Sequence, residues 1–187
     1  MNLKNLEKSL IESRIIQKKE YSYFINPLCD GIPEIKPALI EEVADEISQR
    51  IQKYGKIDKI VTIEAMGIPI STAVSLITKI PLTIIRKKPY HLKNEISVKQ
   101  KTGYSTSELF INDLTKKDEI IIIDDVLSTT GTLESIIPSL KRVGVKIKAI
   151  IIVINKNNTP QEITKKYEIP IETLIDIKII DNKIVIK

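Results

Sequence analysis

Two adjacent carboxylates, Asp124 and Asp125, close an isoleucine run. Two apolar residues separate them from Ser128-Thr129-Thr130-Gly131-Thr132, so that residues 119–133 read EIIIIDDVLSTTGTL. Paired carboxylates accept hydrogen bonds from vicinal hydroxyls or hold a metal-bound sugar. A run of small and hydroxylated residues that opens a helix offers backbone N–H groups, hydroxyls and the positive end of a dipole to a phosphate dianion. Carboxylates repel phosphate, so the two halves of the motif grip different parts of one ligand, and a ribose 5-phosphate satisfies both. An acidic strand end before an ordinary capped helix would explain either half alone. The full order of strand, acid pair and nest points to the ligand.

Three further groups could do chemistry. Glu64-Ala65-Met66-Gly67 links a β-branched run to a helical pattern, and the N–H groups of such a turn can hold a second anion. Arg86, Lys87 and Lys88 form the densest basic cluster. They read either as fixed cations for a polyphosphate or as a solvated charge run. Lys156 follows the apolar run 147–154; its ammonium either donates to an exocyclic carbonyl oxygen while repelling an exocyclic amine, or is a surface charge. His91, the only histidine, lies in a polar stretch and reads as a solvated side chain before it reads as a general base.

Periodicity supplies the elements that must carry these groups. Leu3, Leu6, Leu10 and Ile11 keep helical spacing, predicting a helix over residues 3–16. Residues 20–36 hold Pro27, Gly31 and Pro33 and read as ordered but irregular. A second helix starts near Pro37, carries Glu41 and Glu42 in its first turn, and stops at Gly55. Strands are predicted at 59–63, 82–86, 119–125 and 147–154, helices at 69–77 and 132–143, and a terminal hairpin pairs 174–180 with 183–186 across Asp181-Asn182. Uninterrupted β-branched runs are strands buried on both faces, and their alternation with helices gives an α/β class with a doubly wound, mainly parallel sheet. Ligands bind at the carboxyl edge of such a sheet. The acid pair, the 64–67 turn, the Arg86 cluster and Lys156 all fall there. The polar stretch 88–107 shows no such pattern, and so long a loop inside a domain usually works. It reads as a flexible lid carrying Lys99, Lys101, Tyr104 and Ser105.

The 187 residues suit a single domain spanning 1–187. A net charge of +5 comes from lysines spread over every segment, which argues against nucleic acid and for small polyanionic substrates. No apolar run is long enough for a membrane span, and the charged N-terminal segment lacks a secretory core, so a cytoplasmic protein is expected. The single Cys29 rules out an internal disulfide and fits a reducing compartment.

On residues 119–133 the chain resembles the phosphoribosyl pyrophosphate (PRPP) signature of type I phosphoribosyltransferases, with Thr130 where that family usually has Gly. From residue 21 onward, YFINPLCDGIP, KIVTIEAMGIPI, TGYS, IIIIDDVLST and INK make it similar to purine phosphoribosyltransferases of the adenine/xanthine-like branch, above all the archaeal hypoxanthine/guanine group. The resemblance implies the type I phosphoribosyltransferase fold, with a small hood built from residues 20–36 and the C-terminal end. It implies transfer of ribose 5-phosphate from PRPP to N9 of hypoxanthine or guanine, giving IMP or GMP and pyrophosphate, with Mg²⁺ as cofactor, in a homodimer.

The same resemblance distributes roles. Asp124 and Asp125 would hold the ribose hydroxyls, directly or through metal-bound water, and Ser128, Thr129, Thr130, Gly131 and Thr132 the 5′-phosphate. Glu64, Ala65, Met66 and Gly67 with Arg86, Lys87 and Lys88 would hold pyrophosphate, Lys87 being counted with the acid pair as catalytic. Lys99-Gln100 or Tyr104-Ser105 would close the lid, Lys156 would read the base oxygen, and Leu28, Asp30 and Ile32 would wall the base. Met66 replaces a frequent basic residue, and Ser128 stands where some oxopurine enzymes carry an Asp proposed to take the N7 proton. The rival readings are an adenine or xanthine transferase and a non-catalytic PRPP or purine sensor. Sensors of this fold carry an added winged-helix domain, whereas the roughly 56 residues before the first strand are taken up by helices and hood.

Overall fold

A strand such as residues 120–123, isoleucine at every position, needs an apolar layer on each side. The computed structural model, which describes residues 3–18, 21–101, 106–156 and 160–187, supplies both. In chain order the elements are α1 (Lys4–Ile11), β1 (Arg14–Lys18), β2 (Tyr21–Ile25), α2 (Pro27–Asp30), α3 (Pro37–Ile51), β3 (Lys59–Ile63), α4 (Gly67–Thr78) and β4 (Leu82–Ile85). There follow β5 (Ile96–Lys101), β6 (Thr106–Ile111), β7 (Glu119–Leu127), α5 (Gly131–Val143), β8 (Lys146–Asn155), α6 (Pro160–Tyr167), β9 (Ile171–Ile180) and β10 (Lys183–Ile186).

Six strands form one sheet in the order β10-β9-β8-β7-β3-β4, parallel throughout except for the β9–β10 hairpin. Side chains alternate across β7. Ile121 and Ile123 join Leu6 and Leu10 of α1, Val43 and Ile47 of α3 and Ile70 and Val74 of α4. Ile120 and Ile122 join Leu133, Ile136 and Leu140 of α5, Ile163 of α6, and Val98 and Leu109 of the β5–β6 ribbon. This is the doubly wound sheet that the alternating pattern predicts. Each fully buried isoleucine contributes about 1.5–3 kcal/mol, so β7 anchors the fold at the point where the acid pair emerges.

The structure corrects several expected boundaries. The first helix ends at Ile11, which is 68% exposed, and residues 14–18 pair instead with 21–25 as an antiparallel ribbon. Its Ile15, Ile16, Tyr23 and Phe24 are β-branched or aromatic and favour a pleated surface. The segment 20–36 is therefore partly strand and, over Pro27–Asp30, partly helix. Glu41 and Glu42 lie beyond the first turn of α3. The Glu42 carboxylate instead accepts the backbone N–H groups of Asn5 (3.0 Å) and Leu6 (2.9 Å), satisfying the start of α1. The stretch expected to be a patternless lid is in part the β5–β6 ribbon, with Val98, Leu109 and Ile111 buried below it. α6 was not expected at all.

Candidate active site

β7 runs two residues past the acid pair, to Leu127, because Val126 and Leu127 keep pairing with Ile154 and Asn155 of β8. Thr62 of β3 lies opposite Ile123 and its hydroxyl donates to the Ile123 carbonyl at 2.8 Å. This register brings the turn after β3 beside Asp124. A Cβ on Gly67 would stand 2.1 Å from Thr62 Oγ1 and 2.9 Å from Asp124 Oδ1. Only a glycine lets α4 begin against the carboxylate, whose charge then faces the positive end of a helix dipole. The Glu64–Ala65 peptide bond in this turn is cis.

Asp125 is 9% exposed, and its N–H donates to Asp124 Oδ1 at 3.1 Å. Burial pushes the Asp124 carboxyl well above the usual range, and the neighbouring Asp125 adds to it, while the Lys87 ammonium pulls the other way. Burial also raises Asp125, against hydrogen bonds from Asp124 and from the Cys29 thiol. Burial raises that thiol in turn, with Asp125 beside it. Without a ligand the pair is a poor dianion. Hydroxyl donors or a cation would favour its charged form.

Beyond Leu127 the chain turns through Ser128–Thr130 into α5. Thr130 adopts φ −79° and ψ −12°, an ordinary helical conformation, so its Cβ costs nothing at a position where the family usually has Gly. Its side chain makes no capping bond to the helix backbone; its hydroxyl donates to Glu134 Oε2 at 3.2 Å. The first turn of α5, Gly131 and Thr132 included, thus opens at the same sheet edge as the acid pair, with Ser128 and Thr129 leading into it.

One strand further out, Arg86 is pinned by a two-way backbone bridge to Phe110, N–O distances 2.9 and 2.7 Å. Its Nε donates to Glu64 Oε2 at 3.0 Å, and its guanidinium lies 5.7 Å from the Tyr90 ring centre. The Lys87 N–H donates to the same Glu64 oxygen at 3.0 Å. That N–H, together with Arg86, holds Glu64 below the usual carboxylate range against its burial. Lys87 and Lys88 are exposed. Met66 reaches toward α2, its Cε 3.8 Å from where a Cβ on Gly31 would be.

On the other side of β7, the Lys156 ammonium donates to the Ser22 carbonyl of the β1–β2 ribbon and lies 5.6 Å from the Tyr23 ring centre. Burial lowers its pKa. Gln17 of the same ribbon donates to Asn182, in the β9–β10 turn, at 3.0 Å, so the ribbon and the C-terminal hairpin are tied together.

The remaining predicted residues are scattered. Leu28 is fully buried in the core. Asp30 is exposed, accepts the Asn26 N–H at 2.9 Å, and adds a negative field at Asp125. Ile32 lines a cavity of about 510 Å³ with Lys8, Arg14 and Leu39, a lining that includes neither Asp124 nor Asp125. Lys99 and Gln100 lie in β5, Lys99 exposed and opposite Glu108; Tyr104 and Ser105 lie outside the described residues. His91 is exposed, and its N–H donates to Glu95 Oε1 at 3.0 Å. Sequence reasoning missed Cys29 against Asp125, Ser22 and Tyr23 against Lys156, and Glu95, whose carboxylate also accepts the Tyr90 N–H at 2.8 Å. The aromatic pair in YSYF was a signal for the second of these; the others depend on tertiary packing.

Comparison with known proteins agrees with this geometry. Residues 34–183 match the model of the phosphoribosyl transferase domain. A hypoxanthine/guanine phosphoribosyltransferase of Methanocaldococcus infernus is 47% identical over 97% of this chain and 99% of its own length. One from Aciduliprofundum boonei is 43% identical over 97% and 98%, and one from Methanosarcina barkeri is 51% identical over 82% and 80%. Among solved structures, the adenine phosphoribosyltransferase of Thermoanaerobacter pseudethanolicus superposes with a TM-score of 0.74 at 21% identity, over 91% of this chain and 99% of that one. That of Leishmania tarentolae gives 0.76 at 16%, over 94% and 88%. At such identities these two speak for the fold alone. An acid pair between two strand-to-helix turns, on a sheet of this order and with relatives this similar, places the chain in the phosphoribosyltransferase family, with the type I fold.

Proposed function

We propose that the chain is a purine-salvage enzyme that transfers ribose 5-phosphate from PRPP to N9 of hypoxanthine or guanine. The observation that carries the reading is the flanking of one buried acid pair by two separate strand-to-helix turns, at 64–67 and 128–132, whose N–H groups suit anions. An activated pentose with phosphate at one end and pyrophosphate at the other needs both. The names of the relatives add the purine class.

In this reading Asp124 and Asp125 accept the ribose hydroxyls, and residues 128–132 hold the 5′-phosphate through backbone N–H groups. Arg86 and Lys87 stabilise negative charge as the bond from the anomeric carbon to pyrophosphate breaks and the bond to N9 forms. The displaced purine proton passes to solvent, since Ser128 offers no general base. Among the described residues no cluster of three or more His, Cys, Asp or Glu could hold a metal alone. Two carboxylates and substrate oxygens suit Mg²⁺, which is typically bound that way; bound with PRPP it would neutralise the leaving group. PRPP would hold it mainly, with Asp124 and Asp125 reaching it through water. The β1–β2 ribbon, α2 and the β9–β10 turn would form the hood, and the β5–β6 ribbon the lid that keeps water from the sugar cation. A homodimer in the cytoplasm belongs to the same proposal. No described helix is long and apolar enough to cross a membrane.

Lys156 gives the base preference, its ammonium donating to the 6-oxo group. A panel of bases with PRPP and Mg²⁺, read by pyrophosphate release, should give IMP and GMP with little AMP. Lys156→Ala should cut the preference for oxopurine over adenine about tenfold or more. Equal turnover of adenine by the unmodified protein would refute the assignment.

A further inference from the structure

Glu64 poses a problem, because a carboxylate in a pyrophosphate site should repel the ligand. Its placement resolves this. The Glu64 N–H donates to the Ile85 carbonyl at 3.0 Å, extending the β3–β4 ladder by one step and fixing the side chain opposite Arg86. One oxygen, Oε2, then receives both the Arg86 Nε and the Lys87 N–H, each at 3.0 Å. The acid takes the inner nitrogen of the guanidinium. No hydrogen bond to Nη1 or Nη2 occurs among the described residues. Tyr90 backs the guanidinium, and Glu95 holds the Tyr90 N–H. Arg86 is therefore gripped at its backbone, its Nε and one face, which leaves its outer fork as the part able to meet a ligand.

We propose that Glu64 is a positioning residue: it aims the Arg86 fork and the turn that bears the Lys87 ammonium at the leaving pyrophosphate, and does not contact pyrophosphate itself. The proposal rests on the transferase reading above and changes the role that the resemblance assigned to Glu64. Fixing the fork before the ligand arrives removes a reorganisation cost from the step in which charge develops. The ion pair also cancels the repulsion that a lone carboxylate would exert. Glu64 remains ionised in the neutral range, since its pKa is lowered.

The test compares Glu64→Ala and Glu64→Gln in full-length protein, by steady-state kinetics and by calorimetric titration with pyrophosphate and Mg²⁺. Glu64→Ala should raise the KM for PRPP and weaken pyrophosphate about tenfold, with the KM for the purine base within about twofold. Because both donors converge on one oxygen, the amide oxygen of Glu64→Gln can accept both, and this variant should recover most of the loss. In an Arg86→Ala background, Glu64→Ala should add only the smaller loss that comes through the Lys87 N–H, so that the two substitutions together cost less than the sum of each alone. Unchanged or tighter pyrophosphate binding in Glu64→Ala would overturn the proposal. So would Glu64→Gln no better than Glu64→Ala, or an equal rise in both KM values with a fallen melting temperature. If the wild-type protein gives no heat with PRPP and Mg²⁺, the transferase reading itself falls; if it binds and Glu64→Ala matches it, only this inference does.

Discussion

The two ends of the parallel sheet use the same residue types in opposite ways. Where the strands begin, carboxylates meet cations. Asp118 pairs with Lys59 at 3.0 Å, Asp58 with Lys56 at 2.8 Å and Glu119 with Lys146 at 2.8 Å. Glu172 accepts from Arg50, Lys53 and the Tyr54 hydroxyl. Where the strands end, Asp124 and Asp125 face each other, with Asp30 adding to the field. The pKa directions of the acid pair and of the strand-start acids divide the same way, while Glu64 at the strand ends, with the Lys87 N–H and Arg86 on its carboxylate, is lowered. Burial pushes Asp118 up, but the Thr115 N–H and Lys59 outweigh it; Glu172 is likewise lowered against its burial, through Tyr54 and Lys53. Both members of the acid pair are raised. One edge is electrostatically satisfied. The other holds an unfavourable arrangement that a ligand can relieve, as expected where a fold accepts local destabilisation for function.

Asp124→Asn breaks the comparison most severely, and Asp125→Asn should follow it. Raised above its unfolded value, the Asp124 carboxyl keeps its proton in the folded chain over a window where the unfolded chain has lost it. Stability therefore falls as pH rises through that window and stays lower above it. Removing the charge removes the penalty, so at pH 7 the variant should melt higher than the parent. The gain should vanish below about pH 3, where the carboxyl is protonated in both states. Activity should drop at least about a hundredfold, since the ribose hydroxyls lose an ionised acceptor. Calorimetric melts at two pH values with a PRPP-dependent assay test both halves; a variant that is less stable and still active would invert the assignment.

Glu172→Ala should give the opposite pattern. Its lowered pKa means that its stabilisation is present above the unfolded value and lost as pH falls through the folded one. The loss should be about 1 kcal/mol at pH 7, because three donors lose an acceptor, while Arg50 keeps Glu46 and the Thr173 carbonyl and Lys53 is exposed to solvent. The values of kcat and KM should not move, because Glu172 lies two strands across the sheet from the acid pair and is bonded to Arg50, Lys53 and Tyr54. A denaturant series with parallel kinetics decides it, and a kinetic effect without loss of stability would contradict the division of the two edges.

Much of this contrast was legible in the chain, and what was not has a physical reason. The isoleucine runs of β7 and β8 and the hydroxyl-rich turn after the acids carry their meaning locally. So do Pro37 and Gly55 around α3 and Asp181-Asn182, both at positive φ, in the terminal hairpin. The ribbons were harder. ISVKQK in β5 offers the core Val98 and, partly buried, Ile96, and α6 offers chiefly Ile163, so their structure is imposed by the surfaces they cover. The site divided likewise. The acid pair and its loop are contiguous and could be read together. The grip of Glu64 on Arg86 spans 22 residues and exists only because β3 and β4 pair in one register. Ile32, expected to wall the base, follows the turn at Gly31, with φ +69°, and lines a cavity shared with Lys8 and Arg14, a placement that only the tertiary structure gives.

The mildest substitution sharpens the comparison by asking whether the satisfied edge is redundant. Lys146 pairs with Glu119 at 2.8 Å but is 65% exposed, and Lys148 reaches the other oxygen of the same carboxylate at 3.6 Å. An exposed pair with a substitute cation gains little beyond solvent screening. Lys146→Ala should therefore leave the melting temperature unchanged within error at physiological salt, with full activity. Redundancy of this kind separates the edges as much as charge does. At the strand starts one cation can stand in for another, whereas at the strand ends, among the described residues, Arg86 alone carries the Glu64 contact through its side chain. A clear fall in melting temperature for Lys146→Ala, persisting at high salt, would mean that the strand starts also depend on individual pairs, and that the two edges differ in sign of charge interaction but not in tolerance.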